Sequence, residues 1–378
     1  MTATPEKLDH GLPERRWDPA LQALGLMSGT SLDGVDAAVL RTDGATWVET
    51  GPCVSLPYEP AFRDRLHAVL GREDRSAPEL AAIEEALTRR HADAVSRLLA
   101  ESGLAPAQVG VVGFHGQTIA HDPARRMTLQ LGDGALLARL CGIPVVADLR
   151  SADVRAGGQG APFAPLYHAV LARELERPLA VLNLGGVGNV TWLGPGGPDD
   201  ILAFDTGPGN ALLDDWAARH TGEAIDRDGA LAAAGRVDPA ALATLMADPY
   251  FALPPPKSLD RKDFDPRPVG GLGAADGAAT LAAFTTASVE AALQHLPAPP
   301  RRWLVTGGGR HNPVLMARLG AALGVPVEPV EAVGWDGDAL EAQAFAYLAV
   351  RSLLGAPLSL PSTTGVPRAL SGGVLFQP

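Results

Sequence analysis

Short apolar runs bounded by glycine alternate along this chain with longer stretches of helical spacing. Leu21 to Met27 and Val35 to Leu40 read as two strands, and Leu179 to Leu193 reads as strand, glycine turn, strand. Val109–Phe114, Thr128–Leu131, Ile143–Ala147, Ile201–Phe204 and the run from Trp303 to Thr306 are further strands. Ala61–Leu70, Glu79–Ala100, Asp133–Cys141, Phe163–Glu174 and Ala211–His220 read as helices, the second long and strongly patterned. Strands and helices alternating at these lengths predict an α/β fold with a mixed or mostly parallel sheet. No helical-repeat period or low-complexity tract stands out. At 378 residues the chain is long enough for one large core, but two domains suit its length better.

The first strand pair encloses the most informative segment, Gly25-Leu-Met-Ser-Gly29-Thr-Ser-Leu-Asp33-Gly34-Val-Asp36. It carries glycines at the turn, three hydroxyls (Ser28, Thr30, Ser31) and two acids. A tight glycine turn presents N–H groups and hydroxyls to an anion, and an acid nearby can hold a cation's water. The segment is therefore built as a phosphate-gripping hairpin able to organise Mg²⁺; alone, it is equally a β-turn joining two strands. It is not a Walker loop, because no Gly-Lys-Ser/Thr follows and a strand comes next. Asn183-Leu-Gly185-Gly186-Val-Gly188-Asn189 makes a second hairpin of the same kind. A third cluster, Thr306-Gly307-Gly308-Gly309-Arg-His-Asn312-Pro313, follows a strand and opens a helix, with Asn312 suited to the N-cap and Pro313 to the first turn. This order is expected when two related α/β halves clamp one nucleotide, phosphates on the hairpins and adenosine over the third turn.

Composition narrows the class. Charged residues make up 20% and hydrophobic ones 46%, the balance of a folded globular chain. The net charge of −12 argues against a nucleic-acid surface, which needs clustered Lys and Arg. It does not exclude ATP if glycine N–H groups, a metal and local cations neutralise the phosphates. Arg150, Arg155, Lys257, Arg261 and Lys262 are candidates for those cations, the alternative for each being a solvated surface charge. The two cysteines, Cys53 and Cys141, have neither metal-site spacing nor the number of a disulfide scaffold, and read as structural thiols of a reduced cytosol. Residues before about Pro19 form a polar extension with no apolar leader, and no run reaches membrane-spanning length, so no membrane partner is expected.

Polar residues cluster where strands end. Phe114 is followed by His115-Gly116-Gln117-Thr118 and His121, and Ala147 by Asp148 and Arg150; in α/β folds such positions commonly face the ligand crevice. Asp205, ending a strand and followed by Thr-Gly-Pro-Gly-Asn210, has the rigid placement and access that a general base needs. The alternative is that it caps the helix at Ala211 or stabilises the turn.

Together these motifs closely resemble the anhydro-N-acetylmuramic acid kinases, a family of the actin, heat-shock-chaperone and sugar-kinase superfamily. The resemblance runs from about Leu24 to Leu370 and rests on many blocks in order. They are Met27-Ser-Gly-Thr-Ser-Leu-Asp-Gly-Val-Asp36, His115-Gly-Gln-Thr118 with His121, Asp148-Leu-Arg-Ser-Ala-Asp153, Ala156-Gly-Gly-Gln-Gly-Ala-Pro162 and Asn183–Asn189. Phe204–Asn210, Pro254-Pro-Pro-Lys-Ser258, Gly307–Gly309 with Asn312, and Glu341-Ala-Gln-Ala-Phe-Ala346 complete the series.

The resemblance implies two actin-like, ribonuclease H-like α/β domains flanking a nucleotide and substrate cleft, residues 20–150 and 151–351, with 352–378 packing back onto the first. It implies a cytoplasmic ATP- and Mg²⁺-dependent phosphotransferase, a homodimer, that opens the 1,6-anhydro ring of anhydro-N-acetylmuramic acid while phosphorylating O6. It assigns Asp205 to water activation, as the base of an inverting glycosidase, and Glu341 to orienting the same water, the alternative being a helix-start Glu. Gly29, Thr30, Ser31, Leu32, Asp33, Gly34, Val35 and Asp36 would bind the β- and γ-phosphates, with Asp33 holding Mg²⁺ through water. Gly185, Gly186, Gly188 and Asn189 would form the opposing phosphate turn, and Gly307, Gly308, Gly309 and Asn312 would receive adenosine. The sugar would meet His115, Gln117 and Thr118 on one wall and Asp148, Arg150 and Arg155 on another, with Arg150 or Arg155 pairing the lactyl carboxylate. His115 and His121 are equally readable as satisfied structural histidines.

Two features depart from the family pattern. After Lys257-Ser258 the family continues Thr/Ser-Gly-Arg-Glu-x-Phe, whereas this chain has Leu259-Asp-Arg261-Lys-Asp-Phe264, leaving Arg261 in an altered setting. The N-terminus is also longer than the family core. The competing classes are a chaperone-like or actin-like ATPase driven by a protein partner, a sugar sensor without turnover, and a kinase for another sugar.

Overall fold

The structure, a computed structural model, describes residues 20–378 apart from Thr30, Ser76, Pro198 and Lys262. The N-terminal extension and two residues singled out above, Thr30 and Lys262, lie outside the described residues. The chain divides into two compact units, the first reaching Val170 and resuming over Glu341–Leu360 and Val366–Pro378. The second takes Leu171–Leu340 and Pro361–Gly365. The sequence expectation set the divisions at 150 and 352. Residues 151–170 are tied to the first unit by His121 Nε2, which meets Gln159 O at 2.9 Å, while Gly160 N–H donates to Asp153 Oδ1 at 2.7 Å and holds the loop to its own helix.

The first unit contains β1 (Leu21–Ser28), β2 (Gly34–Thr42), β3 (Val48–Pro57), β4 (Val111–Asp122), β5 (Met127–Leu131) and β6 (Val145–Ala147). The second contains β7 (Leu179–Leu184), β8 (Val187–Leu193), β9 (Ile201–Pro208), β10 (Trp303–Thr306) and β11 (Val327–Pro329). The last strand, β12 (Val374–Phe376), returns to pair antiparallel with β6. The first sheet runs β12-β6-β4-β1-β2-β3 with β5 beside β4, and the second runs β11-β10-β7-β8-β9. In each unit three antiparallel strands are followed by two that join in parallel on the far side of the first. The two units thus repeat one topology, and the glycine turns β1–β2 and β7–β8 occupy equivalent places in it. Both sheets are mixed, as the alternation of elements predicts.

Two strands are longer than their apolar runs. β4 continues through His115-Gly116-Gln117-Thr118 to Asp122 because β5 pairs with this extension, so those residues belong to a strand rather than to a loop after one. β9 continues to Pro208, paired with Val187 to Asn189, so Asp205 lies inside the strand and not at its end. The helix expected over Phe163–Glu174 is a shorter one, Pro165–Leu171, followed by a 3₁₀ turn.

The helix Leu340–Leu353 lies directly on the first sheet. A Cβ on Gly25 would sit 1.7 Å from Ala342 O, and one on Gly113 would sit 2.1 Å from Phe345 O. Only glycine in β1 and β4 allows this seat, which buries Tyr347 and Leu348 almost completely. The core of the second unit is rich in phenylalanine, with Phe251 and Phe264 stacked at 5.5 Å and Phe284 edge-on to both. Neither Cys53 nor Cys141 forms a disulfide, and burial pushes the Cys141 thiol up to about 12, so it is no nucleophile at neutral pH. Among the described residues no helix is long and apolar enough to cross a membrane.

The seat of that helix is testable. Gly25→Ala should lower the unfolding free energy by about 1–3 kcal/mol or more, read from urea midpoints; an unchanged midpoint would contradict the close packing. A second test uses pH. Burial holds His91 at about 4 and His168 at about 3, both below the ordinary 6.5. The unfolded chain takes up protons on both histidines below pH 6.5 while the folded chain does not, so stability is full above 6.5 and falls toward the folded values. The expected loss is about 1.4 kcal/mol per pH unit for each. His91→Asn keeps a donor for Leu87 O, which His91 Nδ1 meets at 2.9 Å, and should flatten the decline; an equal slope would exclude His91 as a contributor.

Candidate active site

In the first unit, the β1–β2 turn and the His-Gly-Gln-Thr block are bound to each other. Ser28 Oγ donates to Gly116 O at 3.0 Å, and the fully buried Gln117 donates through Nε2 to Gly29 O at 3.0 Å. Leu32, wholly buried, anchors the turn at a left-handed φ of 56°, a conformation that costs a non-glycine residue energy and recurs at ligand sites. Ser31 and Asp33 remain exposed. Asp36 accepts from Ser55 Oγ at 2.5 Å. Among the described residues no group of three or more His, Cys, Asp or Glu side chains is placed to hold a metal. Mg²⁺ needs only one or two carboxylates when waters and phosphates complete its shell. This donor set therefore fits a metal that arrives with a nucleotide, not one caged by protein.

A cavity of about 330 Å³ opens in the same unit, lined by His115, Thr128, Gln130, Asp148, Ser151 and Arg155 among others. Three sequence-predicted sugar residues, His115, Asp148 and Arg155, meet there, and Asp148 adopts a left-handed φ of 52°. His115 is buried, stacks on Phe345 and accepts from Arg150 Nε at 2.8 Å. Burial first, and then the Arg150 charge, hold it well below its ordinary value, so it is neutral. Arg150 also donates to Gly160 O. This engagement leaves the exposed Arg155 as the better placed of the two arginines for an incoming carboxylate. Thr118 Oγ1 accepts from Gln130 Nε2 at 3.2 Å. His121 lies between Thr128 Oγ1 and Gln159 O, both at 2.9 Å, and serves structure. Glu341 is half-buried in the first turn of its helix.

The second unit gathers three motifs at the end of β7. Asn210 N–H donates to Gly185 O at 2.7 Å, Gly209 N–H to Gly186 O at 3.0 Å, and Asn210 Nδ2 to Leu184 O at 2.7 Å. A Cβ on Gly307 would fall 2.3 Å from Asn183 Oδ1, so the third glycine turn presses on the same strand. Asn312 caps its helix as expected, accepting from Val314 and Leu315 N–H. Gly308 is exposed, and a 3₁₀ turn over Gly308–His311 precedes the helix. Gly188 and Asn189 flank a bulge in the β8–β9 ladder, where Asn189 faces Asp205.

Asp205 is 6% exposed, and its Oδ2 accepts from Leu259 N–H at 2.8 Å. Its own N–H donates to Lys257 O at 3.0 Å. The Lys257–Leu259 segment thus clamps the edge of β9 and aims the carboxylate. The helix-cap alternative fails, because Asn210 holds the N-cap position of the helix Ala211–Thr221. A nearly buried carboxylate held by a main-chain N–H is suited to take a proton from a bound water.

A family model, Anhydro-N-acetylmuramic acid kinase, matches residues 21–378. The chain belongs to the anhydro-N-acetylmuramic acid kinase family. The member of that name from Rhodospirillum rubrum is 60% identical over 363 residues, 96% of each chain. The one from Acidiphilium cryptum is 59% identical over 364 residues, 95% of this chain and 99% of that one. One solved structure it resembles, component A of the Acidaminococcus fermentans (R)-2-hydroxyglutaryl-CoA dehydratase, aligns with 88% of this chain and 99% of its own at 13% identity and a TM-score of 0.49.

Within this kinase family the departure at Leu259–Phe264 has a physical account. The contact to Asp205 comes from the backbone of Leu259, so the side chain there is free to vary. Arg261 pairs with Asp215 at 2.6 Å, and Phe264 fills the aromatic core. Lys257, a candidate cation for the phosphates with a solvated surface charge as its alternative, is buried, so the surface alternative fails. Arg310 was not foreseen: it is buried, pairs with Glu331 and Asp338 at 2.8 and 2.9 Å, and donates to Gly307 O at 3.1 Å, bracing the third glycine turn. An arginine directly after three glycines was its only sequence signal.

If the backbone N–H is what matters, Leu259→Thr should keep kinase turnover within about threefold, whereas Leu259→Pro, lacking the donor, should lose about 10²-fold or more. Steady-state kinetics at equal stability checks this, and equal turnover in both variants would remove the N–H from the account.

Proposed function

We propose that this family member is an ATP-dependent kinase that hydrolytically opens 1,6-anhydro-N-acetylmuramic acid and phosphorylates O6, giving N-acetylmuramic acid 6-phosphate and ADP. The observation that carries the reading is the clamped carboxylate of Asp205, held in a unit whose glycine turns press on the same strand end. Asp205 accepts a proton from water as the water oxygen bonds to C1. The C1–O6 bond breaks, and O6 takes the γ-phosphoryl group as the bond to the β-phosphate oxygen breaks. The proton on Asp205 then leaves to solvent, which balances the reaction. A glycosidase needs a second carboxylic acid for the leaving oxygen; here phosphorylation of O6 makes that acid unnecessary.

The remaining roles belong to the same proposal. The N–H groups and hydroxyls of Gly29–Asp36, Thr30 among them, and those of Gly185, Gly186, Gly188 and Asn189 bind phosphate oxygens. Gly307–Gly309 and Asn312 receive adenosine. Mg²⁺, bound with ATP, would neutralise phosphate charge, held through water by Asp33. His115, Gln117, Thr118, Asp148, Arg150 and Arg155 meet the sugar, with Arg155 favoured for the lactyl carboxylate, and Glu341 orients the attacking water. The cytoplasm, a homodimer and the recycling of cell-wall amino sugar complete the reading.

The test is ADP release with anhydro-N-acetylmuramic acid present or absent. The sugar should stimulate it strongly and yield a sugar phosphate of the expected mass. Asp205→Asn should lower kcat by about 10²–10⁴-fold while ATP binding stays within a few-fold. Sugar-independent ATP hydrolysis, or turnover on a different sugar only, would overturn the substrate assignment.

A further inference from the structure

The Pro254-Pro-Pro-Lys-Ser258 block has a function the reaction above does not use. Its backbone clamps β9, but the side chain of Lys257 runs inward and is 7% exposed. Nζ donates to Tyr250 O at 3.0 Å and lies over the Tyr250 ring at 4.4 Å and the Phe204 ring at 5.6 Å. Tyr250 in turn donates its hydroxyl to the main-chain oxygen of Asp205 at 2.5 Å. His295 Nε2 lies 3.4 Å from Nζ but also 2.9 Å from Phe251 O. An Nε2–H donating to Phe251 O has no lone pair left for the lysine. A buried ammonium is costly without an opposite charge, and the carboxylate that acts on Lys257 is that of Asp205.

We propose that Lys257 is the positioning residue of the Asp205 site: its buried ammonium keeps the carboxylate ionised, and its link through Tyr250 keeps the strand aimed. The proposal rests on the reading of Asp205 as the base. Lys257 touches neither the reacting water nor the sugar in this account; it acts through Asp205. Burial lowers Lys257 to about 8, opposed by the charge of Asp205, so the amine is still mostly protonated at neutral pH. The titratable groups that face this pair are Tyr250, from the turn Pro249–Ala252, and His295, from the turn Leu293–His295; Asp263 acts on Tyr250. Burial raises the Tyr250 hydroxyl first, with Asp205 and Asp263 adding to it, so Tyr250 stays neutral and donates throughout the working range.

The experiment compares wild type, Lys257→Met and Lys257→Arg by the pH dependence of kcat for the anhydro sugar, alongside thermal unfolding and ATP binding. Loss of the cation should move the acidic limb of Lys257→Met up by about one pH unit, a tenfold loss of kcat below the limb, with ATP affinity unchanged. Lys257→Arg should restore the limb. The coupling is also read without turnover, from ¹³C titration of the Asp205 carboxyl, assigned by its absence in Asp205→Asn, and of the lysine Cε. In the isosteric Asp205→Asn the Lys257 titration should move down, because interacting sites shift each other reciprocally. An acidic limb that stays put in Lys257→Met, or a Lys257 titration unmoved in Asp205→Asn, would overturn the proposal. Absence of sugar turnover in wild type would instead overturn the assigned reaction, and the ¹³C titrations would still decide whether the two charges are coupled.

Discussion

The backbone N–H of Leu259 holds the Asp205 carboxylate at Oδ2, and several parts of the second unit meet where this bond forms. β9 has to run on to Pro208, the Lys257–Leu259 segment has to lie along its edge, and Tyr250 has to hold Asp205 from the main-chain side. The aromatic core of Phe251, Phe264 and Phe284 seats the two ends of that segment. A carboxylate placed by main chain and packing has little freedom to reorganise as charge moves, and preorganisation of this kind is where catalytic groups gain most.

The same economy appears in the repeated topology of the two units. Each opens with a glycine turn between its first two strands, and each turn is tied down from the neighbouring parallel strand. Gln117 and Gly116, inside β4, do this through Gly29 O and Ser28 Oγ, and Gly307 presses on Asn183 at the end of β10. Two copies of one scaffold therefore each place a glycine turn at the same point, while the polar residues around it differ between the units. Asp205 has its place in the second unit, and the cavity with His115, Asp148 and Arg155 has its place in the first.

What was legible in the sequence follows from which contacts have a residue-type signature. Glycine turns, an Asn-Pro helix start and the hydroxyls near Gly29 are local, and they read directly into the β1–β2 and β7–β8 turns and the helix Pro313–Leu323. Strand ends were less legible, because β4 and β9 run on through polar and glycine residues, held by their ladders to β5 and β8 and not by an apolar run of their own. The tie of residues 151–170 to the first unit runs through His121 gripping a loop, a tertiary contact with no local pattern. Leu259 could not be read at all, since any non-proline residue supplies its N–H. Lys257 and Arg310 look like surface charges until the fold buries them.

The most direct test of the central claim is the fate of solvent oxygen in a single turnover in H₂¹⁸O. Attack by an Asp205-activated water at C1 should leave one ¹⁸O at the anomeric carbon of the sugar phosphate and none in its phosphate group. Because a reducing sugar exchanges that oxygen slowly with water, the product is quenched and read at once against an exchange control. Label in inorganic phosphate with the sugar unlabelled would mean that water attacks phosphorus, and Asp205 would not be the base of a sugar-opening reaction.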